Sequence, residues 1–162
     1  GAIEHICASM LATKVGVDPK KVNYVAFRGG GEATAAILGG NVTVGGGGYS
    51  EMAEYIAAGK MRPIGVTSEK RLPGINVPTM KEQGYDVVLG NWRGIYAAPG
   101  ITPEQRAALT DMVIKATKTK SWAESMEKNG WTPALLSGKA FDDFVDAEFA
   151  SLRGIMHLAG MV

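Results

Sequence analysis

The chain has 162 residues, 17 Lys and Arg against 16 Asp and Glu, a net charge of +1 and 46% hydrophobic residues. This balance argues against disorder and carries no charge bias toward nucleic acid or an anionic membrane surface. One cysteine (Cys7) and two histidines (His5, His157) exclude an internal disulfide, a thiolate zinc site and a multi-histidine metal site, so no metal and no cofactor is expected. No apolar run approaches the ~18 residues of a membrane-spanning helix.

The chain opens Gly-Ala-Ile-Glu-His with no initiator Met. It reads as a piece of a longer chain, with any targeting signal in the missing part. Ile3, Ile6, Cys7, Met10 and Leu11 recur at helical spacing over 3–15, with Gly16 as a C-terminal cap. Cys7 falls on that stripe and reads as a small core hydrophobe. A strand is predicted at 22–27 (VNYVAF), a short helix at 32–38 and a second strand at 41–44. Ser50 is positioned to cap a helix to about residue 58, with Gly59 past its end. A third strand is predicted at 61–67 (MRPIGVT), a short helix at 78–84 and an extended segment at 87–98. Strands alternating with short helices imply parallel strands and right-handed crossovers, hence an α/β class with a parallel-rich sheet flanked by helices.

From residue 100 the pattern is helical. Thr102-Pro103-Glu104-Gln105 is a capping box with Pro at the first helical position, and its helix should reach about Lys118. Ser121-Trp122-Ala123-Glu124 reads as a second capping box, closed by Gly130. A strand is possible at 131–136. The last helix spans about 140–159 and should bury Phe141, Phe144, Val145, Phe149, Leu152 and Met156. Asp142, Asp143, Asp146 and Glu148 on its other face read as a solvated surface, since no calcium-loop spacing is present. A boundary near Gly90 divides an α/β lobe (1–90) from an incomplete second lobe (91–162).

Glycine is the compositional outlier at 22 of 162, about twice its usual share. Nine of these glycines fall among positions 27–48. Gly29-Gly30-Gly31-Glu32-Ala33-Thr34 superficially follows a dinucleotide fingerprint, but no acidic residue ends the next strand to read a ribose. Bare backbone N–H groups at helix starts suit a carboxylate instead. Three such turns occur, at 1–3, 28–32 and 47–51, and Arg28 adds positive charge at one. The alternative is that the glycines only make tight turns. No Gly-x-Ser-x-Gly elbow occurs, and neither His5 nor His157 has an evident catalytic partner. A small α/β enzyme of acyl or phosphoryl transfer remains the rival class.

The run VNYVAFRGGGEATAAILGGNVTVGGGG, with YIAAGKMRPIGVTSEKR, LPGINVPTMKEQGYDV and NWRGIYAAPGITPEQ, resembles the substrate-binding receptors of tripartite tricarboxylate transporters, the TctC or Bug family. The likeness extends over essentially the whole chain. Ala2 stands where the family often has Ser or Thr, and Thr43 where it usually has Asp. The resemblance implies a periplasmic-binding-protein-like lobe, 1–90, and part of the other lobe, 91–162. It implies an extracytoplasmic, periplasmic receptor without enzymatic activity that hands a small di- or tricarboxylate to membrane subunits of a transporter. Ala2, Gly29, Gly30, Gly48 and Tyr49 would offer backbone donors to the ligand, Arg28 charge, and Arg93 a further cation from the hinge. Uncovered apolar faces in 91–162 would then favour either pairing of the chain with a second copy through those residues or retention of the missing N-terminal piece.

Overall fold

Helix starts and stops follow local side-chain chemistry. The structure, a computed structural model, describes residues 2–162. Helix α1 runs Ile3–Lys14, and the Ala2 carbonyl accepts from the His5 and Ile6 amides at 3.0 and 3.1 Å. It ends at Gly16, whose φ of +75° lets Val17 donate back to the Ala12 carbonyl at 2.9 Å. Such paired closures satisfy carbonyls that a helix end leaves open, and glycine adopts the left-handed geometry without steric cost. A 3₁₀ turn at Pro19–Lys21 follows, capped by Asp18. Helix α2 spans Gly30–Leu38 and α3 spans Tyr49–Ala57. The N-cap of α3 is Gly48 rather than Ser50, which lies inside the first turn. Gly59 closes α3 at φ +70°, as expected.

Helix α4, Pro103–Ala116, starts at the expected box: Thr102 Oγ1 accepts from Gln105 N at 3.2 Å, and Gln105 Oε1 accepts from Thr102 N at 2.9 Å. Helix α5, Lys120–Asn129, is capped by Thr119, whose hydroxyl accepts from Trp122 N. The predicted box at Ser121 is therefore displaced by two residues. Gly130 ends α5 at φ +61°. Helix α6 spans Gly138–Leu158.

The expected parallel-rich sheet is not present. Helix accounts for 48% of the chain and strand for 1%, and the strand content among the described residues is one isolated parallel bridge, Val66 with Thr79. The predicted strands at 22–27, 41–44 and 131–136 form no ladder, and 80–84 is a turn rather than a helix. The physical reason is lateral. A strand is stable only when its N–H and C=O groups meet a neighbour, and β-propensity measures that packing more than an intrinsic preference. Segment 22–27 leaves Val25 and Phe27 exposed. Residues 45–48 are four glycines with no side chain to pack. Pro63 removes a backbone donor from the third segment.

What pairing remains is short and well anchored. Val66 N donates to Pro78 O at 3.0 Å, Met80 N to Val66 O at 2.9 Å, and Leu89 N to Thr67 O at 2.9 Å. Thr67 Oγ1 donates back to Leu89 O at 2.8 Å. Gly65 lies close by: a Cβ there would stand 2.8 Å from the ends of the Met80 and Gln83 side chains, which would have to move.

The chain divides into two units, residues up to Asn91 with Asp146–Val162, and Trp92–Val145. The first holds the buried side chains: Ile6, Ser9 and Ala12 of α1, Thr34 and Ala36 of α2, and Val77, Thr79, Met80, Val87 and Leu89. Buried Ser9 is satisfied by donating to the His5 carbonyl at 2.8 Å. The second unit centres on aromatic rings. Trp92 meets Phe141 and Phe144 edge-on, at centroid distances of 6.3 and 5.2 Å, and Tyr96 lies 5.8 Å from Phe141.

Candidate functional site

The starts of α1, α2 and α3 lie in the first unit, and glycine backbone brings them close. Gly46 approaches the Glu4 side chain of α1, 3.8 Å from the position its Cβ would take. Gly30, in the first turn of α2, lies against Glu51 of α3: a Cβ there would stand 2.8 Å from Glu51 Oε2 and displace that side chain. The same Glu51 oxygen accepts from Gly48 N at 3.2 Å. Glu51 thus lies across the beginnings of two helices. Each of the three helices carries an acid in its first turn, Glu4, Glu32 and Glu51, as the positive end of a helix dipole favours.

The sequence-predicted residues take distinct places. Ala2 caps α1 and is exposed. Gly29 caps α2 with extended backbone. Arg28 N donates to Glu32 Oε2 at 3.1 Å, and its guanidinium makes no ion pair or hydrogen bond among the described residues. Gly48 caps α3 and Tyr49 begins it. Arg93 belongs to the second unit, where its Nη1 donates to the Trp92 carbonyl at 3.2 Å. Gly1, part of the first predicted turn, lies outside the described residues.

A cavity of about 280 Å³ opens between α2 and α3, lined by Gly30, Gly31, Thr34, Ala35 and Leu38 from one helix and Glu51 and Tyr55 from the other. Small-molecule sites run from about 300 to 1,000 Å³, so this space lies just below that range and is too small for a dinucleotide. Of the predicted site residues, Gly30 lines it. Glu51 and Tyr55 were missed. Their signal is a single turn of spacing, i and i+4, on the face of α3 that meets the glycines of α2.

Ring and thiol chemistry gathers beside the start of α1. His5 stacks on Tyr24 with centroids 4.2 Å apart and planes 1° from parallel. Burial holds the His5 imidazole below its ordinary value, and burial with the nearby Glu4 carboxylate raises the Tyr24 phenol. Burial, then Glu4, likewise raises the half-buried Cys7 thiol. A thiol so placed stays protonated and is a poor nucleophile. Among the described residues no group of three or more His, Cys, Asp or Glu is arranged to hold a metal, and no helix is long and apolar enough to cross a membrane.

Known proteins are similar to this chain. The chain is 25% identical over 162 residues to Protein BugT of Bordetella pertussis, covering 99% of this chain and 49% of that protein. It is 27% identical over 158 residues to the UPF0065 protein in the gbd 5′ region of Cupriavidus necator, covering 97% and 47%. The chain therefore spans about half the length of these relatives. A solved structure, R. palustris Rpa4515 with adipate, matches its fold with a TM-score of 0.80 at 23% identity, over 99% of this chain and 53% of that one. The sequence model described as TctC, tripartite tricarboxylate transporter family receptor, matches residues 1–161, and the chain belongs to that family.

Proposed function

We propose that the chain is the ligand-holding part of an extracytoplasmic solute receptor that binds a small di- or tricarboxylate for a tripartite transporter. The family match over residues 1–161 carries this reading. The geometry supports it. The starts of α2 and α3 lie beside a cavity of about 280 Å³, and helix starts attract anions. Ala2, Gly29, Gly30 and Tyr49 supply backbone donors, and Gly48 N, which donates to Glu51 in the structure, would exchange that partner for the ligand. Arg28 supplies charge, and Arg93 a second cation. The adipate of the R. palustris protein is a dicarboxylate of the proposed class. On this reading residues 1–90 form one lobe and 91–162 part of the other. Membrane subunits are the partners, the compartment is the periplasm, and the protein performs no catalysis.

A thermal-shift panel of carboxylates and nucleotides tests the reading. A ligand at about 100 times its Kd adds about 2.7 kcal/mol to stability, which moves a melting curve visibly. A shift with one or more carboxylates is expected. A shift with a nucleotide and none with any acid would overturn the proposal. Arg28→Ala should weaken binding by about 1.5–3 kcal/mol, the scale of a charge-assisted hydrogen bond. Arg28→Lys should recover only part of that, because the planar fork is lost.

A further inference from the structure

We infer that His5 and Tyr24 are positioning residues for ligand binding, their ring stack holding the segment that carries Arg28 against the first turn of α1; this rests on the carboxylate reading above. The two rings lie 4.2 Å apart at their centroids and 1° from parallel. His5 belongs to the first turn of α1, where its amide donates to the Ala2 carbonyl at 3.0 Å. Tyr24 precedes Arg28 by one short stretch, Val25-Ala26-Phe27. The stack therefore joins the start of one helix to the stretch of chain that leads into another.

Little else ties this segment down. It joins no ladder among the described residues, and Val25 and Phe27 are exposed. Its hydrogen bonds among the described residues stay local: Tyr24 N donates to Val22 O at 2.9 Å, and Arg28 N to Glu32 Oε2 at 3.1 Å. Neither bond reaches α1. An aromatic pair has preferred distances and angles, so it fixes the spacing of the two backbones that carry it. Burial keeps the His5 imidazole below its ordinary value and the Tyr24 phenol above its own, so near neutral pH both rings are uncharged. The stack then contributes placement and leaves the charge to Arg28. A cation recognises a carboxylate in one geometry only when the backbone beneath it is held.

Calorimetry with succinate, adipate and citrate on the whole chain tests this, run below the melting temperature of every variant. For whichever of these acids the wild type binds, Tyr24→Ala and His5→Ala should each raise Kd about threefold to tenfold, the scale of one aromatic pair. Tyr24→Phe keeps the ring and should stay within about twofold of the wild type. Leu89→Ala, a core truncation outside the site, should lower the melting temperature more and still leave Kd within about twofold. Arg28→Ala removes the group that the stack places, so adding Tyr24→Ala to it should raise Kd by less than about twofold further. The inference is overturned if the alanine variants melt earlier yet bind as tightly as the wild type, if Tyr24→Phe loses as much as Tyr24→Ala, or if the Tyr24→Ala loss is undiminished beside Arg28→Ala. If the wild type binds none of the three acids, the carboxylate reading itself falls, and this inference with it.

Discussion

The two units are stabilised by different means. In the first, buried side chains run from Ile6 to Leu89, and hydrogen bonds join residues far apart in sequence, as between Thr67 and Leu89. In the second, no side chain of Trp92–Val145 is fully buried among the described residues. Its order rests on caps and near neighbours. Thr102 and Thr119 cap helix starts, Gly130 closes one, and Lys115–Asp111 and Lys139–Asp143 pair across one turn. Each such device contributes little: a cap about 1 kcal/mol and an i,i+4 pair about 0.3–0.5 kcal/mol. Short helices in water are marginal without packing. The first unit therefore withstands loss of a cap better than loss of a core side chain, and the second the reverse.

Core truncation should separate the units most. Leu89→Ala is expected to cost about 2–5 kcal/mol, because Leu89 is 9% exposed. Met112→Ala, at a position 59% exposed, should stay within about 0.5 kcal/mol. Urea unfolding followed by circular dichroism measures both, and equal costs would break the comparison.

Helix closure comes next. Gly130→Ala forces a Cβ into left-handed backbone at a cost of about 1–2 kcal/mol, and Gly16→Ala should cost the same at the end of α1. A much larger loss at Gly16 would show that closure and core are coupled in the first unit. Thr102→Ala should cost about 1 kcal/mol and appear as a loss of helicity in the second unit.

Acid sensitivity is the finest probe. The Thr79 backbone N–H, with help from Arg71 and against some desolvation, holds the Glu82 carboxyl below its ordinary 4.5. A depressed acid stabilises the fold above its unfolded value, and that contribution is lost as pH falls through the folded value. Melting temperature should therefore fall as pH drops below 4.5, and Glu82→Gln should flatten part of the fall. Glu104, depressed by its own backbone N–H and by Thr102, should give the same signature in the second unit. A pH series of melting curves on both variants checks it.

What could be read from residues alone follows the same division. The Thr102 box, the glycine closures at Gly16, Gly59 and Gly130 and the extent of the last helix are local chemistry, and all are found in the structure. Ser121 against Thr119 shows the limit of such reading: two hydroxyl residues compete, and the turn at 117–118 decides where the helix starts. The sheet was not legible because a strand is defined by its partner. VNYVAF is rich in strand-forming residues, yet in the structure it meets no ladder. Likewise the buried face of α1 is set by Ser9 and Ala12 as much as by Ile6. Small residues give little hydrophobic signal, so the stripe read from Ile3, Met10 and Leu11 pointed to a neighbouring face. Glu51 was hidden for a related reason. The glycine run marked the helix starts, but which acid would cross from α3 to α2 depends on how those helices pack.

The stack of His5 on Tyr24 supplies an unexpected spectroscopic handle. With two histidines in the chain, a proton magnetic resonance spectrum contains just two imidazole Hε1 lines. A ring lying parallel at 4.2 Å shifts one of them through its ring current, so the His5 line is assignable without labelling or mutation. That line reports from the first turn of α1, next to Glu4 and the glycine loop, and its displacement during a titration registers a solute arriving at the helix start even when the heat of binding is too small to measure.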